Sequence, residues 1–162
     1  MRVEIVETDG ISAYVGVRAS STFDQLGSTV SRAFDELMTR RDEIKNIKSD
    51  NVTYGITPPN YKGNNGIVDF YSCYEVDPFE SLPHGMVHLH LLPRLYAVTY
   101  YKGPASQTGN AYDFTSQWLK DNGYEYDDVA YYLERYDEKT IPGSDDERNE
   151  IQIWSPVKKR KG

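Results

Sequence analysis

The residues best suited to chemistry in this chain are Tyr132, Glu134 and Tyr136, within the run Ala130-Tyr-Tyr-Leu-Glu-Arg-Tyr-Asp-Glu138. On a strand, alternate side chains share a face, so these three stand together while Tyr131, Leu133 and Arg135 face the other way. If one face is buried, the choice lies between Glu134 and Arg135. A carboxylate can be neutralised by protonation or paired with a bound cation, whereas an arginine keeps its charge. This pattern predicts an acidic group on the floor of an aromatic pocket. The plainer alternative is that Glu134 is a solvated strand residue, as most glutamates are.

Other reactive groups carry weaker signals. His84, His88 and His90 form H-x-x-x-H-x-H, with His88 and His90 on one strand face. A metal would need a third or fourth ligand, and no acidic or cysteine partner falls in register, so ordinary surface histidines are expected and no metal or other cofactor is called for. Cys73, the sole cysteine, cannot form an internal disulfide and fits a reducing compartment. Gly103 and Gly109 lack phosphate-loop spacing.

The bulk properties bound the function. A chain of 162 residues is expected to form a single domain over 1–162, large enough for a real core. A net charge of −7 argues against nucleic acid and tolerates cationic ligands. Fourteen tyrosines against five phenylalanines favour pocket walls that are apolar on the face and polar at the tip. The first residues show no apolar h-region and the chain no apolar run of about 18 residues, so neither a secretory leader nor a membrane span is expected and a cytoplasmic protein is.

The elements that would position the acid read as follows. Strands are predicted over Val3–Asp9 and Ala13–Ala19, then a polar entry Ser20–Thr22 into a helix bearing Val30, Ala33, Phe34, Leu37 and Met38. Strands Val52–Thr57 and Ile67–Val76 follow, joined by the loop Pro58–Gly66, with Asp69 and Glu75 marking a wet face. Asp77–Pro93 reads as an irregular crossover. The order then repeats: strand Leu95–Tyr101, helix Gly109–Asn122 stopped by Gly123, strand Val129–Tyr136, an acidic turn through Pro142–Glu147, strand Glu150–Val157 and a basic tail Lys158–Lys161.

Identities match the repeated order: Tyr14 with Tyr96, Gln25 with Gln107, Gly27 with Gly109, Leu37 with Leu119. The expected fold is α+β, two β-α-β-β pseudo-repeats over about 11–77 and 93–158 in one antiparallel sheet. Both helices lie on one face, with a groove between them at a pseudo-two-fold axis. Laying Tyr54-Gly-Ile56 over Tyr132-Leu-Glu134 puts apolar Ile56 where Glu134 stands, which suggests an inward position.

With these residues in view, Leu92-Pro-Arg-Leu-Tyr-Ala-Val-Thr-Tyr-Tyr-Lys-Gly103 resembles the Pro-x-x-x-Tyr-Ala-Val…Gly signature of the GyrI-like effector-binding domains. Trp118-Leu119, Leu133–Glu138 and Glu150-Ile-Gln-Ile-Trp-Ser-Pro-Val157 follow in the family's order. The family includes ligand-sensing domains of AraC- and MerR-type multidrug-responsive regulators, gyrase modulators and stand-alone proteins. The resemblance implies a lipophilic cation seated in an aromatic pocket over an acid, with Glu134 at the matching position. No DNA-binding domain is expected within the chain, which looks more like the stand-alone proteins carried on mobile cassettes.

Strand alternation nominates Tyr54, Phe70, Tyr74, Tyr101, Tyr132 and Tyr136 as the inward set. Tyr112 is a candidate gate, and Trp154 a weaker candidate because it shares a face with Glu150 and Gln152. Each could equally be core filling. Aromatic faces contribute roughly 0.5–2 kcal/mol each to a cation, and ring burial about 25 cal/mol per Å², neither demanding a precise shape. The expected function is non-catalytic binding of amphipathic, cationic small molecules for sequestration or sensing, with binding quenching Trp118 or Trp154. The competing readings are a GyrI-like hydrolase of strained electrophiles using the same glutamate, and a gyrase-type protein-binding modulator. Direct contact with nucleic acid or membrane is not expected; a homodimer or a separate regulator partner is compatible.

Overall fold

The helices are amphipathic, and that decides which side of the sheet they cover. The computed structural model describes residues 1–59, 66–78, 82–141 and 145–161. Among these, nine strands form one sheet: β1 (Arg2–Glu7), β2 (Ser12–Thr22), β3 (Thr53–Thr57), β4 (Ile67–Val76), β5 (Val87–Leu91), β6 (Leu95–Lys102), β7 (Tyr124–Tyr126), β8 (Tyr132–Tyr136) and β9 (Glu150–Lys159). The order is β1-β6-β9-β8-β3-β4-β2-β5, with β7 on β9, and every pairing is antiparallel. Helices α1 (Leu26–Thr39) and α2 (Thr108–Asn122) each follow a short 3-10 turn. Thus β2-α1-β3-β4 and β6-α2-β8-β9 share one connectivity and meet at the β3–β8 pair.

Helix α1 buries Ala33 and Leu37, one turn apart, against Ala13, Val15, Val17 and Tyr74. Helix α2 buries Ala111, Thr115 and Leu119, each a turn further on, and Gly123 ends it in the left-handed conformation at φ 79°. Met38, expected on the packed face, is 58% exposed, although its sulfur accepts a hydrogen bond from the Tyr74 hydroxyl at 3.1 Å. A buried threonine pair, Thr99 with Thr115, ties α2 to β6.

Several expectations need correcting. The crossover contains a strand, β5, whose alternating Val-His-Leu-His-Leu pairs with β2. Ser20–Thr22 is the end of β2 rather than a helix entry, and β8 begins at Tyr132 because Asp127–Ala130 turns, with Ala130 N–H on the Asp127 carbonyl at 3.3 Å. Lys158 and Lys159 belong to β9, where Lys158 pairs with Glu125. The loop Pro58–Gly66 and the turn Pro142–Glu147 lie partly outside the described residues.

The face away from the helices is not simply wet. Ile56, Cys73, Val98 and Leu133 are almost fully buried there, beneath tyrosines. Burial raises the Cys73 thiol well above its usual range, so it is protonated at neutral pH and a poor nucleophile. Native protein is therefore expected to resist alkylation and to react only on unfolding, which thiol labelling along a denaturant series would follow.

Candidate functional site

Register places the acid. Glu134 on β8 stands opposite Gly55 on β3 and Ile153 on β9; Gly55 in turn stands opposite Ser72, and Ser72 opposite Val17. Directly paired residues share a face, and this row carries Val17 from the α1-facing core and Ile153 from the α2-facing one. Glu134 therefore lies on the helix side, at the junction of the two halves. The residue across from it is Gly55. Ile56 pairs with Leu133 and faces away, so the repeat alignment made from sequence is one residue out of register.

Glycine matters here because of what surrounds it. A Cβ on Gly55 would come within 2.4 Å of Phe70 Cζ and 3.0 Å of the Tyr136 hydroxyl. Phe70, Phe34 and Tyr136 are thereby stacked edge-on, with Phe34 centred 6.2 Å from Phe70 and 5.7 Å from Tyr136. The Tyr136 hydroxyl donates to Glu134 Oε1 at 2.7 Å, and the Tyr112 hydroxyl, from α2, donates to Oε2. Among the described residues no lysine or arginine forms an ion pair with Glu134. A carboxylate held by two neutral hydroxyls keeps its charge available to something else.

Burial, the neighbouring Glu134 charge and its hydrogen bond all push the Tyr136 hydroxyl well above the ordinary tyrosine range. Burial also raises Tyr14, Tyr54, Tyr96 and Tyr126. Each holds its proton to higher pH folded than unfolded. The stability this implies is intact below about pH 10 and lost as pH rises beyond it. Denaturant midpoints are accordingly expected to fall steeply above that pH, and Tyr136→Phe should flatten part of the fall.

Between α1 and α2 runs a groove of about 690 Å³ whose described lining includes one carboxylate, Asp128. Phe70, Tyr112, Tyr126 and Tyr132 line it, with Phe23 and Pro58 among the residues at its α1 and β3 sides. Of the residues nominated from sequence, Phe70, Tyr112 and Tyr132 line the groove; Glu134 and Tyr136 do not, and Glu134 is linked to it through the hydroxyl of Tyr112. Tyr74 and Tyr101 are on the helix side but buried, the Tyr101 hydroxyl donating to the Pro104 carbonyl at 2.6 Å. Tyr54 is on the opposite face, paired across strands with Arg135 and Cys73, which corrects its place in the inward set. Trp154 is there too, on the face it shares with Gln152, its indole N–H donating to Gln152 at 3.1 Å. Sequence reasoning missed Phe23, Tyr126 and the glycine. Tyr126 sits on a three-residue strand with no readable period, and its hydroxyl is 2.7 Å from that of Ser116.

A family model described as integron-associated effector-binding protein, Cass2, matches residues 4–157. The chain belongs to this Cass2 family. In Pseudomonas aeruginosa the transcriptional regulator BrlR is 26% identical over 135 residues, covering 81% of this chain and 47% of the regulator, so the chain spans about half that relative's length. Among solved structures, SAV2435 bound to tetraphenylphosphonium superposes with a TM-score of 0.69 at 14% identity, over 98% of this chain and 94% of that one. The Vibrio cholerae integron cassette protein VCH_CASS2 gives 0.63 at 14% identity, over 96% and 95%. The sheet and two helices are thus the fold of the GyrI-like, Cass2-type effector-binding proteins, built as one antiparallel sheet as the repeat predicted. Among the described residues of this Cass2 chain no group of three or more His, Cys, Asp or Glu residues is arranged to hold a metal, and no helix is long and apolar enough to cross a membrane.

Proposed function

We propose that this Cass2 chain binds amphipathic organic cations in the groove between α1 and α2. Phe70, Tyr112, Tyr126 and Tyr132 would meet the apolar rings, and Glu134 would meet the charge. One observation carries the reading: the Glu134 carboxylate, which Tyr112 links to the groove, is held by two tyrosine hydroxyls and by no described cation. The solved relative SAV2435, of the same fold, was seen with tetraphenylphosphonium, a cation of this class.

The energetics agree. A lipophilic cation loses little hydration on entry, and each aromatic face adds roughly 0.5–2 kcal/mol. Entry requires Tyr112 to release Glu134 Oε2, which makes this side chain, near the start of α2, the natural gate. Broad specificity follows, because ring burial and the carboxylate charges of Glu134 and Asp128 set no sharp shape requirement. Sequestration or sensing would each use such binding without chemical turnover.

The deciding experiment is calorimetric titration with tetraphenylphosphonium and with neutral triphenylphosphine oxide. Tryptophan fluorescence is a poor monitor of this groove, contrary to the expectation from sequence. Trp118 stacks on Tyr124 at 6.0 Å, and Trp154 packs on Tyr96 across the sheet. Saturable binding of the cation, tighter than of the neutral compound, is expected. Equal binding of both, or none, would remove the role given to Glu134.

A further inference from the structure

The face of the sheet away from the helices carries a second aromatic enclosure, outside the proposed groove. Tyr14 and Tyr54 meet edge to face at 5.1 Å between ring centres, and Tyr96 and Trp154 do so at 5.5 Å. Together with Glu75 they line a cavity of about 140 Å³. That volume is close to the roughly 150 Å³ known to admit a benzene-sized guest. Exposed Leu92 stands at its rim.

The polar groups around this cavity are unevenly matched. Among the described residues Glu75 is the only charged one lining it. Its carboxylate is 3.8 Å from the Lys48 ammonium, whose side chain is 49% exposed, so this contact is loose and screened by solvent. Of the other cations on these strands, Arg94 is held by Asp127 at 3.0 Å and Arg135 by Asp137 at 3.1 Å, while the Tyr54 hydroxyl lies within reach of both Arg135 and Glu75. Tyr96 is only 4% exposed at the wall of this cavity. Four aromatic side chains with one carboxylate are the composition of a cage for a small, weakly hydrated cation.

We infer that this cavity is a second binding site, selective for small quaternary or methylated ammonium groups and separate from the groove between α1 and α2. Size divides the two sites: a tetra-aryl cation cannot enter the cage, and a tetramethylammonium ion is too small to fill the groove. The same strands carry both sites, since β3 and β8 send Gly55 and Glu134 to one face and Tyr54 and Leu133 to the other.

Trp154 lines the cage and Trp118 does not, so a Trp118→Phe background isolates the reporter. In that background, tetramethylammonium chloride at constant ionic strength should change Trp154 emission saturably. Glu75→Gln should weaken the response roughly fivefold or more, Lys48→Met should tighten it by freeing the carboxylate, and Glu134→Gln should leave it unchanged. The opposite signs keep the test decisive if either variant folds poorly. A linear response, wild-type affinity in both the Glu75 and Lys48 variants, or loss in Glu134→Gln would overturn the inference. None of these outcomes bears on tetraphenylphosphonium binding, which is measured separately.

Discussion

Glu134→Gln is expected to lower affinity for tetraphenylphosphonium roughly tenfold to hundredfold while leaving triphenylphosphine oxide binding within about twofold of wild type. The reason is electrostatic and local. At about 5 Å in a partly buried site of effective dielectric near 20, removal of one charge costs about 1.5–3 kcal/mol after partial screening, and each 1.4 kcal/mol is a factor of ten. Glutamine has the same shape, and its carbonyl keeps an acceptor for one of Tyr112 and Tyr136, while the other hydroxyl must turn to accept from the amide NH2. The paired ligands separate charge from packing. A parallel loss for both compounds would mean the substitution had disturbed the groove itself. No loss for either would place the cation elsewhere.

Gly55→Ala is expected to lower stability by about 1–3 kcal/mol, read as a fall in melting midpoint of several degrees, and to weaken cation binding as well. The new methyl would lie 2.4 Å from Phe70 Cζ, and Phe70 is backed by Phe34. The ring must therefore move toward the groove it lines, narrowing it. The same methyl approaches the Tyr136 hydroxyl at 3.0 Å and so disturbs the donor to Glu134. Melting curves and the tetraphenylphosphonium titration together check this. An unchanged midpoint with unchanged affinity would show that the space above Gly55 is not occupied in solution as described.

These two positions also show how far a sequence carries. Tyr132, Glu134 and Tyr136 could be placed on one face because alternation is intrinsic to a strand. Strand β4 was delimited correctly from its period and flanking loop residues, and Gly123 as a helix stop from its freedom to take positive φ. Strands β5 and β7 were not legible: the first hides between prolines with histidine at alternate positions, and the second is three residues long and owes its existence to the end of β9. Tyr54 was assigned to the wrong side for a related reason. Alternation within β3 is plain, but its parity relative to β8 depends on register, and a slip of one residue reverses it.

The sequence by itself determined the alternation of Glu134 with Leu133 and Arg135, the apolar stripes of both helices, the repeat that pairs Leu37 with Leu119, and the family to which the chain belongs. Only the tertiary structure decided that Gly55, not Ile56, faces the acid, that Tyr112 reaches it from α2, and that Tyr54 and Trp154 line a different cavity. The division has a physical cause. Side-chain parity within one strand is a local property of the backbone. Which parities come together across strands is set by interstrand hydrogen-bond register and helix docking, both of which depend on residues far apart in the chain.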